Sequence, residues 1–261
     1  MIDFLMKIEN MSFCDSLEEV DVTNYKECRS QIIPKPEVAK ILFLPEKAKW
    51  QINIFDYLCV KRGIDFEIVK TLAGEEKIYE DMRRNIVFVG HDEYGIPKFA
   101  SVRGTAHGSQ YRVDCAGSDK RYGFHMTYCQ SPQLYIFESP IDAMSHATLE
   151  NIITQNPKAW QGQNRLSLSG TSDKALEKYL ELHPNVRELI FCLDNDPPGR
   201  DAAIMFAKKY DKKGFHTRLE LPKHKDYNEE LLFQNTLQKG WCDGKTRPEN
   251  YPGFRYSNRS R

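Results

Sequence analysis

The spacing of apolar positions changes character twice along the chain. Residues 1–33 mix polar and apolar side chains without a clear period, which predicts short helices or an arm. IIPKPEV, 32–38, carries two prolines and reads as a linker or extended segment. QINIFDYLCVKRGI, 51–64, then spaces Ile54, Tyr57, Leu58 and Lys61 at a helical rhythm, with Gly63 placed to end the helix in a left-handed conformation. FEIVKTLAG, 66–74, predicts a second short helix.

From residue 85 the period falls to two. NIVFVG (85–90), IPKFASVRG (96–104), YRVDC (111–115) and GFHMTY (123–128) predict four short strands parted by Gly and Asp turns, an antiparallel or mixed sheet. After residue 132 strands and helices alternate. QLYIFES, NRLSLSG (164–170), VRELIFCLDND (186–196) and FHTRLELP (215–222) are strands. Residues 140–153, 172–184 and 199–214 are helices, the first with proline in its first turn and the second with Ser172 as an N-cap. This alternation predicts an α/β fold, a mostly parallel sheet flanked by helices. The residues after 236 are polar and rich in turn formers, and predict a loose tail.

Composition narrows the class. The chain has 261 residues, 40% hydrophobic and 28% charged, with 37 basic and 37 acidic side chains. A whole-chain basic excess, the usual mark of non-specific nucleic-acid binding, is absent. The 7 cysteines form no CxxC pair, so no zinc site is expected and a reducing compartment fits. No 18-residue apolar run predicts a membrane span, and the N-terminus lacks a signal-peptide pattern. A cytoplasmic location with no membrane partner is the expectation.

The chemistry gathers at strand ends, where open α/β sheets hold their ligands. Asp194 and Asp196 close the third βα strand. Glu138 closes the first, Asp142 lies one helical turn further on, and Asp226 follows the fourth. Oxygen donors of this kind suit Mg²⁺ or Mn²⁺, and such ions neutralise charge during phosphoryl transfer. Each acid also has a plainer reading. DNDPPG is good turn sequence, Asp142 is favoured by a helix dipole, and Asp226 can start a helix carrying Glu229 and Glu230. Gly170 and Thr171 follow the second strand, where a backbone can approach phosphate closely or simply begin a helix. Residues 98–122 hold Lys98, Arg103, His107, Arg112, Lys120 and Arg121 with Tyr111 and Tyr122 interleaved, a surface suited to phosphates and bases or to plain solvation. No GxGxxG, Walker or GxSxG motif is present.

These stretches resemble the Toprim domain shared by bacterial DnaG-type primases, type IA and II topoisomerases and OLD-type and related nucleases. Glu138-Ser139-Pro140-Ile141-Asp142 is similar to the family's EG-x-x-D pattern with serine for glycine, and Asp194-Asn195-Asp196 matches its DxD pair. Gly170-Thr171 matches the primase "GT", and Pro197 to Ala203 resembles the primase DEAG-x-x-A extension. Lys225-Asp226-Tyr227-Asn228-Glu229 resembles a primase KDPDE segment, with Asn228 where primases tend to keep a second aspartate. Residues about 40–125 look like the DUF3991 region that precedes Toprim in proteins of bacterial mobile elements.

With an arm or short helices over 1–38 and a polar tail over 236–261 from the residue pattern, the resemblance implies a smaller α+β domain over 39–130 and a Toprim domain over 131–235. It implies that Glu138 acts in acid–base work, with Asp142, Asp194 and Asp196 completing the catalytic set. Mg²⁺ or Mn²⁺ would sit on Glu138, Asp194, Asp196 and Asp226. Arg103, Lys120, Arg121, Gly170, Thr171 and Lys225 would contact phosphate or nucleic acid. The expected activity is primase-like nucleotidyl transfer on single-stranded or primer–template DNA from nucleoside triphosphates, alongside replication or conjugation proteins. A metal-dependent nuclease and a non-catalytic DNA-binding accessory protein remain the alternatives.

Overall fold

Two sheets organise the described residues. The computed structural model describes residues 41–242. The expected arm and proline segment, and the basic stretch after 242, lie outside the described residues.

α1 (Ile52–Phe55) runs directly into a π-helical turn, Asp56–Lys61. The rhythm over 51–64 is therefore helical with one widened turn, which buries Tyr57 and Leu58 side by side. Gly63, at φ 72°, then reverses the chain. α2 spans Phe66–Gly74, and the Asp65 side chain caps it by accepting from the Glu67 N–H.

β1 (Ile78–Glu80), β2 (Ile86–His91), β3 (Pro97–Arg103) and β4 (Arg112–Asp114) form an antiparallel sheet in sequential order. β1 is a strand that the pattern missed, because three residues are too few to show a period. The stretch expected as the fourth strand of this group goes elsewhere. Only His125–Met126 is extended as β5, and it pairs antiparallel with β7 (Asn164–Ser167) at the edge of the second sheet. Gly123 allows this crossing, since a Cβ there would stand 2.4 Å from the Ser167 carbonyl oxygen.

The second sheet has the order β5-β7-β6-β8-β9, with β6 (Gln133–Phe137), β7, β8 (Glu188–Phe191) and β9 (His216–Leu219) parallel. Its helices are α3 (Pro140–Thr154), α4 (Lys174–Leu182), α5 (Pro197–Asp211) and α6 (Tyr227–Cys242). The chain is thus α/β, with a mostly parallel helix-flanked sheet preceded by a smaller α+β region.

Alternation along β6 and β8 divides the core. Leu134, Ile136, Leu189 and Phe191 pack with Leu176 of α4 and Phe206 of α5. Phe137, Ile190 and Cys192 face the other way, into a cluster with Met144 of α3, Leu231 of α6 and Ile54, Leu58, Ile68 and Leu72 of the preceding region. One apolar core therefore serves both regions.

Several boundaries differ from expectation for local reasons. Asp173, not Ser172, stands at the α4 N-cap, and its carboxylate accepts from Lys209 and Tyr210 instead of from the helix. α5 begins at Pro197 because the Asp196 side chain caps it through the Gly199 N–H. α6 continues to Cys242, past the expected start of the tail. No helix of the described residues is long and apolar enough to cross a membrane.

Arg165 of β7 is fully buried. It donates to His146 Nδ1 at 3.1 Å, the Trp160 carbonyl at 2.6 Å and the Gln163 carbonyl at 3.1 Å, and pairs with Glu150. Burial is the main reason that the His146 pKa falls to about 4, so its neutral ring can accept from Arg165. Removing one member of such a pair strands a buried charge. Glu150→Ala should lower stability by about 3–5 kcal/mol in urea unfolding.

Candidate active site

Strand ends and helix starts place the acids. β6 stops at Phe137, and the next residue, Glu138, points its Oε1 at the Asp194 N–H, 3.3 Å away. Asp194 follows the buried run Phe191-Cys192-Leu193 beyond β8. Asp142 sits in the first turn of α3. There Ser139 Oγ accepts from its N–H at 3.3 Å and donates to its Oδ2 at 2.5 Å. Asp142 Oδ1 also accepts the Asn228 N–H at 3.3 Å. Asp226 precedes α6 and caps it, its Oδ1 accepting from the Glu229 N–H at 2.7 Å.

Glu138, Asp142, Asp194 and Asp226 line one cleft of about 150 Å³. Arg62, Arg103 and Arg112, from the π-turn's end, β3 and β4, line the same cleft. Burial, then the charges of Asp142, Glu138, Asp226 and Asp196, push the Asp194 carboxyl up to about 8. Burial and Asp226 raise Asp142 to about 6, against the pull of Ser139 and Asn228. Glu138 is raised mainly by burial, while the Asp194 N–H, Arg112 and Lys225 draw it down. These shifts have two causes in order: burial of the carboxyl groups first, and the charges of the neighbouring acids second.

All four acids offer hard oxygen donors, so the chemistry of the set fits Mg²⁺ or Mn²⁺. Their side-chain positions do not close a ligand shell, since among the described residues no three His, Cys, Asp or Glu side chains converge enough to hold an ion. The charge of the cleft suits a divalent cation; its present geometry leaves the carboxylates apart.

The structure thus gathers Glu138, Asp142, Asp194, Asp226 and Arg103, and sets the other expected residues around the cleft or away from it. Asp196 is turned into the α5 cap, where Oδ1 takes the Gly199 N–H at 3.0 Å, though its charge still reaches Glu138 and Asp194. Gly170, at φ 137°, supports the site through its N–H, which donates to the Glu138 carbonyl at 3.1 Å, and Thr171 is exposed. Lys225 is exposed, and its carbonyl accepts the Asn195 N–H at 2.7 Å. Lys120 pairs with Asp114 at 2.8 Å and Arg121 with Asp119 at 2.6 Å, and neither lines the cleft.

Arg62 and Gly199 escaped the sequence reading. Arg62 lies in a Lys-Arg-Gly helix end that looks solvated. Gly199 sits where α5 passes the strand end, and the signal for it was its place as the glycine of the 197–203 stretch that resembles DEAG-x-x-A, read there without a packing role.

Residues 56–129 match a family described as a protein of unknown function (DUF3991), and residues 135–231 match the Toprim-like family. The chain therefore carries a DUF3991 region followed by a Toprim-like domain. An uncharacterized protein of Bacillus anthracis, pXO2-78, is 25% identical over 213 residues, 77% of this chain and 60% of that protein. The chain thus spans less than two thirds of that relative's length.

Among solved structures, the primase fragment of the bacteriophage T7 primase-helicase protein is 17% identical, with a TM-score of 0.47 over 70% of this chain and 72% of that one. The E. coli primase catalytic core is 15% identical, with a TM-score of 0.42 over 90% and 72% of the two chains. A DNA primase domain from Pseudomonas aeruginosa is also 15% identical, at 0.43 over 69% and 60%.

A Cβ at Gly199 would lie 2.2 Å from the Asp194 carbonyl oxygen and 2.8 Å from Glu138 Oε1. Gly199→Ala must push the helix from the strand end and disturb both acids. It should cost about 1–3 kcal/mol in thermal unfolding, with a displaced Asp194 backbone visible in a crystal structure of the variant.

Proposed function

We propose that the protein is a primase-like nucleotidyltransferase acting on DNA with Mg²⁺ or Mn²⁺. One observation carries this reading: four acids from separate elements of the Toprim-like domain share a cleft with three arginines of the preceding region. In this reading Glu138, Asp194 and Asp226 would hold the metal only after their carboxylates, apart in this structure, draw together, with Asp196 as a further donor once its cap is released. The bound ion would offset charge on the transferring phosphate. Glu138, raised by burial, takes the proton of the attacking 3′-hydroxyl. That oxygen bonds to the α-phosphorus of the incoming nucleotide as the bond to pyrophosphate breaks. Asp142, fixed by Ser139 and Asn228, maintains the negative field that favours metal, and Arg103 steadies the phosphates.

The template and substrates would be single-stranded or primer–template DNA and nucleoside triphosphates. Work beside replication or conjugation proteins, and a place in mobile-element replication, belong to the same proposal. Lys120, Arg121, Gly170, Thr171 and Lys225 would extend the contact with nucleic acid only through rearrangement or a long backbone path, because none lines the cleft.

The test is template-dependent dinucleotide synthesis with Mg²⁺ or Mn²⁺. Asp194→Ala should lower it by about 100-fold or more, the rate equivalent of several kcal/mol of lost charge stabilisation. Retained synthesis in that variant would sink the reading. Shortened DNA in the absence of nucleotides would identify a nuclease instead. DNA binding without turnover, indifferent to Asp194→Ala, would identify an accessory protein.

A further inference from the structure

We propose that the outer edge of β9 is a self-association surface, where a second copy of this chain pairs its own β9 antiparallel across a two-fold axis at Leu219. The inference does not depend on the reaction at the cleft.

β9 ends the order of the second sheet, so among the described residues it is paired on its β8 side alone. In a parallel ladder, alternate residues turn both N–H and C=O to the same neighbour. The His216 N–H donates to the Arg187 carbonyl at 2.9 Å, and the Glu220 N–H to the Phe191 carbonyl at 3.0 Å. Residues 216, 218 and 220 therefore bond inward to β8. The backbone groups of Thr217, Leu219 and Leu221 point outward. Such a row is a template for another strand, and edges are commonly blunted by lysine, proline or a bulge. Residues 216–221 contain neither lysine nor proline, and the register with β8 is unbroken.

The order of side chains is self-complementary. Setting Leu219 opposite Leu219 of the second copy also sets Thr217 opposite Leu221, so that outward groups meet outward groups. The same register sets Arg218 opposite Glu220, once on each side of the axis. These are non-hydrogen-bonded positions, where side chains across a ladder approach most closely. Within the chain, Arg218 makes only long ion pairs, at 3.7 Å to Glu188 and 3.7 Å to Glu220, and all three side chains are partly exposed. A register centred on Arg218 would instead oppose like charges. An unrelated extended peptide could fill the outward backbone sites but would lack the matched Arg-Leu-Glu order.

The opposite face supplies apolar surface. Leu219 pairs in register with the buried Phe191 yet is 44% exposed. Ile204 of α5 is 43% exposed. It shares a helical stripe with Asp211, two turns further on, and Asp211 Oδ1 accepts from Thr217 Oγ1 at 3.2 Å. The stripe therefore runs along β9. A second copy would cover Leu219 with its own Leu219, flanked by the two α5 helices.

The test is sedimentation velocity of the full chain from about 1 to 200 µM at low ionic strength, the range suited to a small interface. The unaltered chain should pass from monomer to dimer. The Leu219 N–H faces away from β8, so Leu219→Pro removes an outward donor and no inward one. It should stay monomeric with the circular-dichroism spectrum of the parent. Arg218→Glu and Glu220→Arg each oppose like charges across the axis, and each should weaken the dimer by about 10-fold or more. An equimolar mixture of these two variants restores opposite charges at both positions and should recover the dimer. Two misfolded chains would not rescue each other.

An unaltered chain that remains monomeric throughout would overturn the proposal. A dimer that survives Leu219→Pro and both charge reversals would overturn it too, because that dimer must form elsewhere. Loss of the dimer in both reversals without recovery on mixing would overturn the register at Leu219.

Discussion

Electrostatic crowding at the end of the parallel sheet governs the rest of the site. β6 and β8 run side by side, so the residues that leave them emerge next to one another. Here those residues include Glu138 and Asp194, and the starts of α3 and α6 add Asp142 and Asp226. Such a group is stable only while protons, cations or hydrogen-bond donors share its charge. The donors are visible in the Asp194 N–H, Ser139 Oγ and the Asn228 N–H. They hold the carboxylates in place but leave a net demand for positive charge.

The preceding region meets part of that demand and is bound into the same core. Its π-helical turn buries Tyr57 and brings Arg62 to the cleft, while β3 and β4 bring Arg103 and Arg112. A plain α-helical turn would rotate Arg62 relative to Tyr57 and break the two bonds that its guanidinium donates to Tyr57 Oη. Acidic and basic residues can then lie in one cleft without collapsing into ion pairs, because hydrogen bonds to neutral partners restrain Arg62.

Much of the fold was legible wherever a period persisted. The alternation of QLYIF placed β6 and its two faces, and FEIVKTLAG marked α2 to the residue. The acids were legible because each follows an apolar run that can only be a buried strand, or opens a helix. What escaped notice depends on partners distant in sequence. The strand expected over 123–128 shortens to the two residues of β5, and its choice of β7 over the first sheet depends on close packing at Gly123. Arg62 is one basic residue in a basic helix end, and only Asn228, 166 positions away, gives it a direction. Asp196 looked equivalent to Asp194, but the geometry of a helix start engages its side chain.

The strand β5 has a wider consequence. It falls inside the DUF3991 match yet completes the edge of the sheet that carries the Toprim-like match. Family borders and folding borders therefore do not coincide in this chain. Cutting the polypeptide between the two matches would bare the β7 edge and strip Phe124 and Met126 from the shared interior. Transplanting either segment alone would carry the same penalty unless its new neighbour covered the β7 edge and refilled that part of the interior.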